Sequence, residues 1–271
     1  MASRAIVYRR ALTSYARRYV FVPQYRQGQR LALTTADGVR LSADLLRGPP
    51  DAPATVVLVH GFALSSRTPK IHAFANLLAH DVNVVVPDLR GHGRSGGRCT
   101  LGDLEPLDVA AAVEAAPPGL PVVTMGVSLG GAAVLLHGGT LGGVAGVVAI
   151  SAPAWSNSWD TRPTERIRRH VSSRGGRLFL SSVLRTRVAA DWRGVPESRD
   201  IAAAIAPAFT IVVHDPDDHY FGEEHARTLY EWLRPPKDLW LIPDSGHGTD
   251  LLTPQLAARL LGRIRSRLQG P

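Results

Sequence analysis

The chain has 271 residues, 45% of them hydrophobic and 20% charged, which suits one soluble globular domain with room for an insertion. Its 26 glycines and 20 prolines are dispersed, so they read as turns and exclude a long low-complexity tract. The single cysteine, Cys99, rules out an internal disulfide and suggests a reducing, cytoplasmic setting, and the net charge of +8 leaves an anionic partner open.

Residues 1–30 hold seven arginines and no acid. Residues 4–19 read as a basic, partly amphipathic helix or arm, a candidate contact to a membrane surface. This stretch lacks the long apolar core and small-residue cleavage site of a secretory signal. Leu31–Thr35 and Val39–Leu46 alternate apolar and polar residues around Asp37-Gly38, so they predict a hairpin. Thr55–Val59 is a short apolar run, the pattern of a strand covered on both faces. A helix is expected over Ile71–Ala79, a buried strand over Val82–Val86 and a helix over Leu107–Ala115. Cys99, in a loop beside Arg98, reads as a solvent-near passive thiol. Strand Val122–Thr124 follows, then strand Val144–Ile150. Such alternation implies parallel strands joined by right-handed crossovers.

Residues 151–205 break the rhythm with ten arginines, five acids and no apolar strand. They read as an inserted helical lid between core segments 31–150 and 206–271. Trp155, Trp159 and Trp192 lie in it, and Trp155 and Trp159 are candidates to line an acyl pocket. The pattern then resumes with strand Phe209–Val213, helix Glu223–Leu233, strand Asp238–Ile242 and helix Pro254–Leu268. The basic surplus comes with no nucleic-acid-binding motif, so no nucleic-acid partner is expected.

Two stretches fit Gly-x-Ser-x-Gly. Gly93-Arg94-Ser95-Gly96-Gly97 has neither strand before it nor helix after it and reads as a flexible loop. Gly126-Val127-Ser128-Leu129-Gly130 has both, which puts Ser128 on a sharp strand-to-helix turn with its hydroxyl presented. A serine hydroxyl needs a base to take its proton, and that base needs an orienting acid. On an open parallel sheet all three belong in loops at the carboxyl ends of strands.

His247 stands between glycines just past the last strand and is the candidate base. The loop His214-Asp215-Pro216-Asp217-Asp218 follows the strand Phe209–Val213 and supplies three candidate acids. Asp215, at the strand's end before a proline, suits a turn cap. Asp218 lies deeper and is preferred to Asp217, with both left open. Ile150-Ser151-Ala152-Pro153 carries no carboxylate, so the acid is not expected after that strand. Backbone N–H groups of Phe62, in His60-Gly61-Phe62, and of Leu129 are the candidate oxyanion donors. His60 itself reads as a structural hydrogen bond shaping its loop.

In this order, His60-Gly61-Phe62, Asp88-Leu89-Arg90-Gly91-His92-Gly93-Arg94-Ser95, Gly126–Gly130, the Asp218 loop and Ser245-Gly246-His247-Gly248 resemble the α/β-hydrolase family from Leu31 to the end. The resemblance implies an α/β-hydrolase fold with a central mostly parallel sheet, no metal and no organic cofactor. It makes the Asp88–Ser95 loop structural. The family pattern has Gly where Asp215 stands. Ser128 at the elbow speaks against dehalogenase and epoxide hydrolase variants, which would have Asp there. The function expected is a serine hydrolase of small acyl esters. A thioesterase on carrier-bound acyl groups, a biosynthetic acyltransferase, lyase or cyclase, and a non-catalytic binding protein are the alternatives.

Overall fold

The computed structural model describes residues 28–155, 158–191, 194 and 198–270. The basic arm expected over residues 4–19 and Trp192 lie outside the described residues. Among the described residues no helix is long and apolar enough to cross a membrane.

Eight strands form one sheet. They are β1 (Gln29–Thr34), β2 (Arg40–Leu46), β3 (Thr55–Val59), β4 (Asn83–Pro87), β5 (Val122–Val127), β6 (Gly146–Ile150), β7 (Phe209–His214) and β8 (Lys237–Leu241). Their order is β1-β2-β4-β3-β5-β6-β7-β8. β1, β2 and β4 pair antiparallel, and the remaining neighbours pair parallel. The hairpin begins two residues earlier than its alternation suggests, at Gln29, and turns through Gly38 at φ +81°. This is the mostly parallel sheet that the sequence implied.

Alternation in the central strands divides the core in two. Val56, Leu58, Val84, Val86, Met125, Val148 and Ile211 face helices α1 (Pro69–Leu78) and α8 (Pro254–Leu268). Val57, Val59, Val85, Val147, Ala149 and Val212 face α2 (Glu105–Glu114), α3 (Leu129–Thr140) and α7 (Glu223–Trp232). Both faces of these strands are dry, which is why they read as unbroken apolar runs. Each fully buried Val, Leu or Ile contributes about 1.5–3 kcal/mol.

Between β6 and β7 lie α4 (Arg162–Ser172), α5 (Arg174–Val183) and α6 (Ser198–Ala202). α4 begins at a capping box made by Thr161 and Thr164. The stretch is not uniform. Ser198, Ile201 and Ala202 of α6 are buried, and a Cβ on Gly139 of α3 would sit 2.4 Å from the Ile201 carbonyl oxygen. That end packs into the helical layer. α5 instead leaves Leu178 and Phe179 at 68% and 47% exposure.

Two sequence expectations are corrected. Cys99 is fully buried, not near solvent: it packs with Val171, Leu180 and Val188, and its backbone pairs with Arg187 and Ala189. The returning chain after α5 covers it, a long-range contact that the adjacent Arg98 concealed. Burial pushes its thiol well above the usual range. Ser95 is not in a loose loop. Its hydroxyl donates to the Asp88 carbonyl at 2.5 Å and accepts the Ser42 N–H at 3.0 Å. The Asp88 carboxylate pins the same region by accepting N–H bonds from Ser66 and Arg94.

Candidate active site

Ser128 occupies the bend between β5 and α3 at φ 54°, ψ −116°. A non-glycine residue there carries strain of about 1–3 kcal/mol, which its surroundings must hold. Two glycines make the bend possible. A Cβ on Gly126 would lie 2.0 Å from the Gly130 carbonyl oxygen, and one on Gly130 would lie 2.4 Å from that of Val59. The Ser128 N–H donates to the Ile150 carbonyl at 2.8 Å, tying the bend to β6.

Three loops at carboxyl ends of strands meet here. The Ser128 hydroxyl lies 3.0 Å from Nε2 of His247, and Nδ1 of His247 lies 2.7 Å from Oδ2 of Asp218. A carboxylate can only accept, so Nδ1 carries a proton and Nε2 of the neutral ring is left to accept from Ser128. The Asp218 side chain is fully buried, and that of His247 is 13% exposed. Burial pushes the Asp218 carboxyl up. The hydrogen bond and charge of His247, with the Tyr220 N–H on Oδ1, outweigh that and bring it below the ordinary range. Asp217 is exposed, and its N–H donates to Oδ1 of Asp215.

The histidine loop is held by Asp215, which the sequence pattern marked as a turn cap, and by Ser151, to which it gave no role. Oδ2 of Asp215 accepts the N–H groups of Ser245 and Gly246 at 2.6 and 2.5 Å. The Ser151 hydroxyl accepts the Gly248 N–H at 3.0 Å. Asp215 therefore caps its own turn and also anchors the neighbouring loop. Gly246 and Gly248 flank His247 at φ +82° and +59°, which lets the backbone double back on both sides of the ring. The Tyr220 ring stacks on His247 at 4.2 Å, and Phe221 meets it edge-on at 5.6 Å. The run Tyr220-Phe221 just past Asp218 was the available signal for this packing. Lys70 of α1 pairs with Asp250 at 2.6 Å, joining the next turn to another helix.

On the other side, a Cβ on Gly61 would lie 3.4 Å from Cβ of Ser128, so the loop after β3 abuts the bend. His60 shapes that loop. Its Nε2 accepts the Leu89 N–H at 3.0 Å and its Nδ1 donates to the Gly61 carbonyl at 2.8 Å. Phe62 and Leu129 both line a cavity of about 670 Å³ that contains Ser128 and His247. Trp155 and Trp159 line it too, with Leu136 and Ile167. Trp155 also stacks on His225 at 4.0 Å, so one face of its ring is already used. Among the described residues no group of three or more His, Cys, Asp or Glu side chains is arranged to hold a metal ion.

The pattern of the alpha/beta hydrolase family matches residues 56–263. The chain belongs to that family. The uncharacterized protein YfhR of Escherichia coli O157:H7 is 26% identical to this hydrolase-family chain over 239 residues, 84% of this chain and 76% of that one. A monoacylglycerol lipase of Mycolicibacterium smegmatis is 36% identical over 124 residues, 43% of this chain and 44% of the lipase. Among solved structures, the Pyrococcus furiosus esterase Pf2001 superposes with a TM-score of 0.70 at 21% identity, covering 90% of this chain and 91% of its own. A thermophilic esterase from Thermogutta terrifontis superposes at 0.67 with 23% identity, covering 89% and 98%. These likenesses show that the alpha/beta hydrolase fold spans the described chain.

Proposed function

We propose that the protein is a serine hydrolase of carboxylic esters. The observation that carries this reading is His247 bridging Ser128 and Asp218 through opposite ring nitrogens at the wall of a largely apolar cavity. The lipase and esterases to which the chain is similar agree with it.

In this reading the Ser128 oxygen attacks the ester carbonyl while Nε2 of His247 takes its proton. Asp218 holds the ring in the right tautomer and stabilises the imidazolium that forms. The N–H groups of Phe62 and Leu129 donate to the developing oxyanion, and Leu129 gains from its place at the start of α3. His247 then returns the proton to the departing alkoxide. A water deprotonated by the same nitrogen releases the acid and restores Ser128. Trp155 and Trp159 form part of the acyl wall, and α4 and α5 act as the lid.

A series of nitrophenyl esters of rising acyl length tests the proposal. The wild-type protein should turn them over, and Ser128→Ala should reduce kcat by about 10³-fold or more while keeping the fold. Turnover that survives in a folded Ser128→Ala protein removes Ser128 from the mechanism.

A further inference from the structure

Within residues 162–169 of α4 stand four arginines and one glutamate. Glu165 is already committed. Its carboxylate accepts from Arg168 at 2.6 and 3.0 Å and from Arg169 at 3.0 Å. Arg162 and Arg166 have no carboxylate partner among the described residues. They are not scattered over the helix. Arg162, Glu165, Arg166 and Arg169 line one recess of about 300 Å³. Arg166 also lines the larger cavity that contains Ser128 and His247. The two spaces therefore share one side chain, a guanidinium without a carboxylate partner among the described residues, between an apolar chamber and a cationic recess.

A guanidinium is permanently charged and presents a planar fork of donors that matches a phosphate or carboxylate face. Two such forks with no carboxylate partner among the described residues suit a doubly charged anion better than a single carboxylate. Glu165 does not compete, because Arg168 and Arg169 occupy both its oxygens.

We infer that Arg162 and Arg166 form a phosphate-recognition subsite, and that the substrate is an acyl ester or thioester whose remote end carries a phosphate monoester. This deepens the hydrolytic reading above and rests on it. The acyl carbonyl lies at Ser128, the apolar chain takes the chamber, and the phosphate reaches past Arg166 into the recess. Selectivity then arises from charge at the remote end, and it weakens as salt screens the exposed guanidinium groups.

The experiment compares matched substrates at low and high salt. One pair is 1-decanoylglycerol and 1-decanoylglycerol 3-phosphate. The other is decanoyl-pantetheine and decanoyl-4′-phosphopantetheine. These arms distinguish a lipid headgroup from a free phosphopantetheine thioester as the source of the phosphate monoester. In the wild-type protein, kcat/KM for the phosphorylated member should exceed that of its neutral partner by about tenfold at low salt in at least one pair, through two charge-assisted contacts. The excess should shrink at 0.5 M salt, and Arg162→Gln/Arg166→Gln should bring the ratio close to one. A wild-type ratio near one in both pairs overturns the subsite without the variant. So does a double variant that lowers both members of a pair equally. Failure of the hydrolytic reading is separate, since no substrate would then depend on Ser128.

Discussion

His247 meets its two partners through different nitrogens, so each role can be removed separately. Asp218→Asn would place an amide where a carboxylate accepts the Nδ1 proton, favouring the wrong tautomer, and should lower kcat by about 10⁴-fold. Asp217→Asn, at an exposed position outside the hydrogen-bonded chain, should change kcat less than threefold. Steady-state kinetics on one short-chain ester compares the two, and equal losses would reopen the choice of acid. The sequence could not separate these neighbours by type, because both are aspartates after the same strand. What distinguishes them is that Asp217 follows the Asp215 turn outward while Asp218 returns inward.

Single elements show how the bend and the histidine loop are held. The Gly-x-Ser-x-Gly motif was legible because the strand, bend and helix each have a local signature. Gly130→Ala would drive a methyl against the Val59 and His60 carbonyl oxygens, which cannot move without parting β3 from β5. It should destabilise the protein by at least about 2 kcal/mol, measured by urea unfolding, or prevent folding. The support of the histidine loop was not legible. Ser151 and Asp215 follow β6 and β7, and their bonds to residues 245–248 depend on the parallel order that sets these strand ends side by side. Asp215→Ala would strip acceptors from three N–H groups. It should lower kcat by about 10- to 100-fold with little change in KM as the imidazole drifts from Ser128. Unchanged kcat would reduce Asp215 to a turn cap.

For the whole molecule, the buried strands were readable as apolar runs, and their alternating faces account for the two helical layers. The cover over Cys99 and the packing of α6 on α3 were not readable, because both join residues about 60 to 90 positions apart in the chain. The Asp215 carboxyl is pushed up by burial but lowered more by its N–H partners, and Asp218 is lowered through His247. Their contributions are complete above the unfolded carboxylate pKa of about 3.9 and are lost as pH falls through the lower folded values. Wild-type stability should therefore fall between pH 5 and pH 2. Asp215→Asn/Asp218→Asn should start lower and fall less steeply in urea unfolding across that range, and parallel curves would contradict the linkage.

In the proposed mechanism His247 makes the Ser128 oxygen reactive. The most direct measurement is covalent labelling with a fluorophosphonate, followed by peptide mass spectrometry. Wild-type protein should carry the label on Ser128, with labelling at least about 10³-fold slower in His247→Ala. A label on another residue, or an equal rate without the imidazole, would contradict that mechanism.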